Sequence, residues 1–327
     1  MEPYQNMQIA IVVPCYNEGE MLGISVPRLV SLIDDLVVSH GCSPHSYIVL
    51  VDDGSGDDTW NLIESAAERY PVRVRGLRLS CNVGHQGALL SGLDYVSDRC
   101  DAAVSIDADL QDDLAAIPRM IQELRKGAEI VLGVRVSRKV DTWFKRNTAL
   151  GFYKFMRLLG VDLVENHADF RMMSNAVLRN LRLFSETNLF LRGLPSLLSS
   201  KISTVSYERA ERIAGETKYP LRKMLALAWN GITSFSIVPL RLISAVGGGV
   251  FLLSLIMSIY AVFGMLTGKA LPGWTSIVLP LYLLGGMLML SIGVVGEYVG
   301  KVFMETKRRP RFLVNKVIGE HASYDRD

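Results

Sequence analysis

The sequence lacks the glycine signatures by which nucleotides are commonly held. No G-x-G-x-x-G follows a strand-like run, and no G-x-x-x-x-G-K-[ST] occurs anywhere in the 327 residues. A dinucleotide or ATP bound by those routes is therefore unsupported. A G-x-S-x-G elbow is also missing, which argues against a serine hydrolase of the α/β type. Cysteine is scarce. Cys15, Cys42, Cys81 and Cys100 show no C-x-x-C spacing, so free thiols in a reducing cytoplasm are the simplest reading. The five histidines, at 40, 45, 85, 167 and 321, have no zinc-binding spacing, and His40 and His45 read as loop surface. The net charge of +2 says little alone, and no nucleic-acid partner is expected. The first eight residues are polar and the apolar run at 9–13 is short, so no signal peptide is expected.

Charge is missing in two places. Residues 242–268 and 270–296 are runs of 27 residues each without a charged side chain. About 20 apolar residues cross a bilayer as a helix. Buried helices of a soluble core are the alternative, but such helices rarely stay uncharged so long. Lys269, Pro272 and Gly273 mark a turn between the runs. Lys218, Arg222, Lys223 and Arg241 stand before the first run, and Lys301, Lys307, Arg308, Arg309, Arg311 and Lys316 follow the second. By the positive-inside rule, this predicts a transmembrane hairpin with both termini cytoplasmic. The basic clusters also suit anionic headgroups.

The rest of the chain is charged throughout and alternates in type. "IAIVVP" and "YIVLVDDGS" are apolar runs of the kind found in buried parallel strands. "VRVRGLRLS" alternates apolar and polar residues and reads as a strand nearer an edge. "DAAVSIDAD" and "EIVLGVR" are further strands, with helical stretches between them. Asp57 and Asp58 open one such helix, where its positive end favours acids. This rhythm predicts an open, mostly parallel sheet with helices on both faces. Ligands of such sheets bind at the carboxyl ends of the strands. The polar clusters fall at those ends: Tyr16, Asn17 and Glu18; Asp52 and Asp53; Asp107 and Asp109; Arg135.

"VSIDADLQDD" crowds four carboxylates into seven residues. Asp107 and Asp109 are two apart and share a face if extended. Carboxylates that close repel one another unless a positive charge lies between them. A hard divalent ion with oxygen ligands resolves this, and Gln111 adds a neutral oxygen. Asp112 and Asp113 read as caps of the helix that follows. Two further segments, residues 141–160 and 219–241, mix basic and aromatic or apolar residues as interfacial helices do. For the first of them, packing on its own domain is an equal alternative.

Together "VVPCYNEGE", "VLVDDGSGDDT", "NVGHQGALLSGLD", "IDADLQD" and "GETKYPLRKM" resemble the family 2 glycosyltransferases of the GT-A fold. More narrowly, they resemble the polyprenyl-phosphate glycosyltransferases of the bactoprenol glucosyltransferase type. The resemblance runs from about residue 8 to residue 307. No Q-x-x-R-W motif is present, which departs from processive polysaccharide synthases and points to a single sugar transfer.

The resemblance implies a Rossmann-like GT-A catalytic domain over residues 1–215, juxtamembrane helices over 216–240, a transmembrane hairpin over 241–300 and a cytoplasmic tail over 301–327. It implies that Pro14, Tyr16, Asn17, Glu18, Asp53, Asp107 and Arg135 bind the sugar nucleotide. Asp109 and Gln111 would hold Mg²⁺ or Mn²⁺, and Asp169 would sit beside the transferred sugar. Arg171, Arg209, Arg212 and Lys218 would meet the diphosphate or lipid phosphate. Asp107, Asp169 and Lys218 would be the catalytic set. Surface charge for Arg209 and Arg212, and a structural ion pair for Asp169, remain open alternatives.

The chemistry agrees with this assignment. A leaving diphosphate needs cations as its charge develops. A lipid phosphate acceptor is already ionised near neutral pH and needs little general-base help, so Asp169 would orient rather than deprotonate. Direct displacement inverts the anomeric carbon. The expected reaction moves one hexose, glucose from UDP-glucose first among candidates, onto undecaprenyl phosphate at the inner membrane. The partners are then the UDP-sugar, the lipid acceptor and the bilayer, with a homo-oligomer an open question. A GDP-mannose-dependent mannose synthase, an aminoarabinose transferase and a non-catalytic sugar-nucleotide sensor are the rivals. A flippase or channel is weaker, since the two runs carry no intramembrane charge.

Overall fold

The computed structural model describes residues 6–135, 167–186, 191–208 and 274–319, with isolated helical positions between 240 and 263. The chain divides into two compact units. One comprises Met1–Tyr153, Leu163–Tyr219 and Pro310–Asp327; the other comprises Lys154–Asp162 and Pro220–Arg309.

The first unit is built on a mixed eight-stranded sheet. Its strands are β1 (Ile9–Cys15), β2 (Tyr47–Asp52), β3 (Val74–Leu79), β4 (Ala102–Ser105), β5 (Ile130–Arg135), β6 (His167–Ser174), β7 (Ile202–Tyr207) and β8 (Val314–Ile318). Their spatial order is β7-β5-β6-β4-β1-β2-β3-β8. The helices α1 (Gly19–His40), α2 (Thr59–Arg69), α3 (His85–Val96) and α4 (Ala116–Arg125) connect the early strands, and α5 (Asn175–Arg182) and α6 (Pro195–Leu198) the later ones. Every residue of β1 and β2 is buried, as expected of central strands covered on both faces. Ile9, Ile11, Val13, Ile48 and Leu50 join Leu29, Ile33 and Leu36 of α1 in one core. Each large aliphatic side chain buried there contributes about 1.5–3 kcal/mol. The α1 helix stops at Gly41, whose φ of 61° is left-handed and whose N–H returns to the Leu36 carbonyl.

The sheet departs from the expected mostly parallel arrangement. The pairs β1–β2, β1–β4, β2–β3 and β5–β7 are parallel, while β3–β8, β4–β6 and β5–β6 are antiparallel. Strand β6 inserts between β4 and β5 and runs against both. Its amino end therefore meets the carboxyl ends of its neighbours, which decides where Asp169 lies. Strand β3 is not at the edge. Residues 314–318, expected within a tail, cover it as β8, with Lys316 Nζ donating to Glu64 at 2.7 Å. Gly76 makes room for this, since a Cβ there would lie 2.7 Å from side-chain atoms of both Ile318 and Ile63.

In the second unit, α7 (Trp274–Thr306) is a helix of 33 residues. Among the described residues it is the one helix long and apolar enough to cross a membrane, with no described side chain buried over Met287–Thr306. The expected pair of spans is thus represented by one described helix. Most of the run 242–268, together with the segments 141–160 and 219–239, lies outside the described residues.

Candidate active site

The carboxyl ends of β1 and β2 are laced together. After β1, the Asn17 N–H donates to Ser55 Oγ at 3.0 Å, and Asn17 Oδ1 accepts from the Gly56 N–H at 3.0 Å. Asn17 has a left-handed φ of 53°, which asparagine tolerates. The Glu18 N–H donates to Thr59 Oγ1 at 2.9 Å, and the Gly19 N–H to Asp57 Oδ2 at 3.1 Å. Tyr16 is left half-exposed at the mouth of this loop, while Pro14 is buried in β1.

Asp53 is buried, and each of its oxygens accepts a backbone N–H: Val83 at 2.8 Å and Gly84 at 2.9 Å. Burial raises its pKa while those two donors pull against the rise. Asp53 was expected at the nucleotide. Its two oxygens fix the turn that delivers His85, the first residue of α3.

His85, which the motifs did not single out, joins the candidate site. Its Nε2 lies 3.5 Å from Asp107 Oδ1 and 3.7 Å from Asp169 Oδ2. The available signal was a histidine opening a helix directly after a glycine turn at a strand's carboxyl end. Asp107 follows β4, and Asp169 lies in β6. The Ser105 hydroxyl donates to the Asp169 carbonyl and so ties the two strand ends together. Asp169 is also gripped from below: its Oδ1 accepts from Arg171 Nη2 at 2.8 Å. Arg171 was expected at a phosphate. It is instead buried, 3% exposed, with Nη1 donating to the Leu191 carbonyl at 2.7 Å. It supports Asp169.

The Asp107 side chain stays 38% open. Its pKa is raised, first by desolvation, then by Asp112, Asp169 and Asp109, while His85 pulls it down. The loop beyond it is strained: Leu110 has a φ of 47°, unusual for a bulky residue. The turn brings the Leu110 N–H to the Asp107 carbonyl at 3.2 Å. Asp109 is half-buried and Gln111 buried.

Asp112 and Asp113, both expected as caps, separate. Asp113 Oδ1 accepts the Ala115 N–H at 2.9 Å, just before α4. Asp112 is buried and accepts from the Tyr207 hydroxyl and from Arg135 Nη2 at 3.3 Å, so it is no cap. Arg135, at the end of β5, is thereby held beside the acid loop. Arg209, Arg212 and Lys218 lie outside the described residues.

The geometry thus places Asp107, Asp109, Asp169, His85 and Arg135 around the carboxyl ends of β4 and β5. A hard cation fits this donor set in part. Among the described residues no group of three His, Cys, Asp or Glu could hold an ion alone. An ion held at the acid loop would need further oxygens, from Gln111, a bound ligand or water.

The model of the glycosyl transferase family 2 matches residues 10–182, a span containing every element of this cluster. The chain belongs to that family. It is 47% identical over 307 residues to the uncharacterized glycosyltransferase YkoT of Bacillus subtilis (strain 168), covering 94% of this chain and 91% of that one. It is 38% identical over 313 residues to the prophage bactoprenol glucosyl transferase homolog of Escherichia coli (strain K12), covering 95% and 99%. It is 37% identical over 311 residues to the bactoprenol glucosyl transferase of Shigella phage SfX, covering 94% and 99%. As a family 2 glycosyltransferase, the chain is an enzyme whose substrates include a sugar donor.

Proposed function

We propose that the enzyme moves a single hexose, glucose from UDP-glucose, onto a polyprenyl phosphate at the cytoplasmic face of the membrane. The observation that carries this is the convergence of Asp107 and Asp169 about His85, together with the full-length similarity to proteins named bactoprenol glucosyl transferase. The Asp107–Gln111 loop would face the donor. Asp109 and Gln111 would hold Mg²⁺ or Mn²⁺, with Asp107 beside them. A bound divalent ion supplies charge neutralisation to the leaving diphosphate.

Asp169 has Oδ1 held by Arg171 and Oδ2 near His85. A carboxylate so held orients a sugar hydroxyl or the acceptor, and an ionised phosphate acceptor requires no proton transfer. Attack opposite the leaving group inverts the anomeric carbon. Lys218, Arg209 and Arg212 would add charge at the phosphates, and Tyr16, Asn17 and Glu18 would border the nucleotide.

The test offers the purified full chain UDP-glucose, UDP-galactose and GDP-mannose with undecaprenyl phosphate, and identifies the lipid product by mass spectrometry. Glucosyl-lipid from UDP-glucose is expected, lost with EDTA and restored by Mg²⁺ or Mn²⁺. Product from GDP-mannose alone would assign a mannose synthase, and no product from any donor would sink the transfer reading.

A further inference from the structure

Arg135 and Tyr207 end neighbouring parallel strands and are register partners. Arg135 Nε donates to the Tyr207 hydroxyl at 3.0 Å. That hydroxyl donates in turn to Asp112 Oδ1, the same oxygen that accepts from Arg135 Nη2. Donors from two strands therefore close on one carboxylate oxygen of a third segment. The Tyr207 ring is set by packing: it meets Phe170 edge to face, with centroids 5.2 Å apart. Gly133 permits that approach, since a Cβ there would lie 2.6 Å from Phe170 Cδ1 and 3.0 Å from Tyr207 Cε1.

The burial of the three members is unequal. The Asp112 side chain is 3% exposed and Tyr207 2%, whereas the Arg135 side chain stays 32% open. Asp112 thus has its charge compensated, while the compensating guanidinium, at the carboxyl end of β5, stays partly open. With Nε and Nη2 occupied, Nη1 has no hydrogen-bond partner among the described residues. A planar fork fixed on one edge presents its remaining donors in a set direction, the arrangement that phosphate oxygens recognise. Asp112 also lies three residues beyond Asp109, so the same clamp ties the acid loop to the cation.

We propose that Tyr207 and Asp112 are positioning residues that hold Arg135 for the diphosphate of a nucleoside-diphosphate donor. This rests on the donor reading given above. Both residues act through Arg135 and touch no ligand.

The test measures binding of UDP and GDP, each against its own nucleoside, to the full chain in detergent with Mn²⁺ present. Wild type is expected to prefer one diphosphate to its nucleoside. Tyr207→Phe keeps the ring on Phe170 and removes the hydroxyl. It should weaken the preferred diphosphate about fivefold, the scale of one net hydrogen bond, and leave the nucleoside unchanged. Asp112→Asn, nearly isosteric, should act in the same direction and serves as the readout if Tyr207→Phe does not fold. Equal weakening of diphosphate and nucleoside would mean general loosening and would overturn the proposal. Unchanged diphosphate binding in a folded variant would overturn it too. If wild type itself does not distinguish either diphosphate from its nucleoside, the donor reading has failed and the clamp falls with it, a result visible before any variant is made.

Discussion

Asp107 sits where its surroundings disfavour its charge. Desolvation and three nearby carboxylates raise its pKa, and only His85 opposes them. For a carboxyl group whose folded pKa lies above its unfolded value, folding is favoured while the group is protonated. The penalty is absent below the ordinary aspartate value of about 3.9 and grows as pH rises through the folded pKa. Asp107→Asn should therefore raise the melting temperature at neutral pH, and that gain should vanish in acid while transfer activity is lost. A variant no more stable than wild type at pH 7 would show that the site bears no such strain. The flanking residues should rank differently. His85 is half-exposed, so with a protonated ring its contacts to Asp107 and Asp169 would be worth ~0.2–1 kcal/mol. His85→Ala should slow transfer by less than about tenfold. Asp169→Asn should cost roughly 10²-fold or more, the scale of losing a preorganised electrostatic partner. Equal losses for the two, measured as kcat with saturating donor, would contradict this ordering.

At the level of elements, legibility followed burial. β1 and β2 are unbroken apolar runs because helices cover both faces, and their carboxyl-end acids stood out against them. β6, with "HADFRMMS", carries two charges because Asp169 and Arg171 satisfy each other across adjacent same-face positions. Such a pair is invisible without the fold. β8 is five residues, mostly exposed, and is a strand only because β3 offers an edge. Asp112 read as a cap for the same reason: its true partner, Tyr207, lies 95 residues away. The β5–β6–β7 side of the sheet depends on one permissive position. Gly133→Ala should push against Phe170 and Tyr207, destabilising the fold by about 1–3 kcal/mol, as overpacked cores do. Urea unfolding of the variant would check this. A midpoint equal to wild type would mean the three strands can part without loss.

Over the whole molecule, chain order constrains topology more strongly than the hydropathy of any one run. Strands β1–β7 precede the two uncharged runs and β8 follows them, yet β8 hydrogen-bonds to β3. A chain that crossed the bilayer once would leave β8 on the far side from its partner. The number of crossings is therefore even. If α7 crosses, a second segment must cross with it, and no uncharged run outside 270–296 is as long as 242–268. Basic residues at 218–241 and 301–316 stand outside the two runs, with only Lys269 between them, and by the positive-inside rule they would set the direction of such a pair. The expectation is a hairpin with residue 269 outside and the sheet inside. Single cysteines replacing Glu20, Lys269 and Asn315, in a chain whose exposed Cys81 is changed to serine, would be labelled with an impermeant maleimide in intact cells and in inverted vesicles. Glu20→Cys and Asn315→Cys should react only in inverted vesicles, and Lys269→Cys only in intact cells. Reaction of all three from the inner side would mean that both runs lie along the membrane surface, and the transfer site would then owe its place at the lipid to an interfacial anchor.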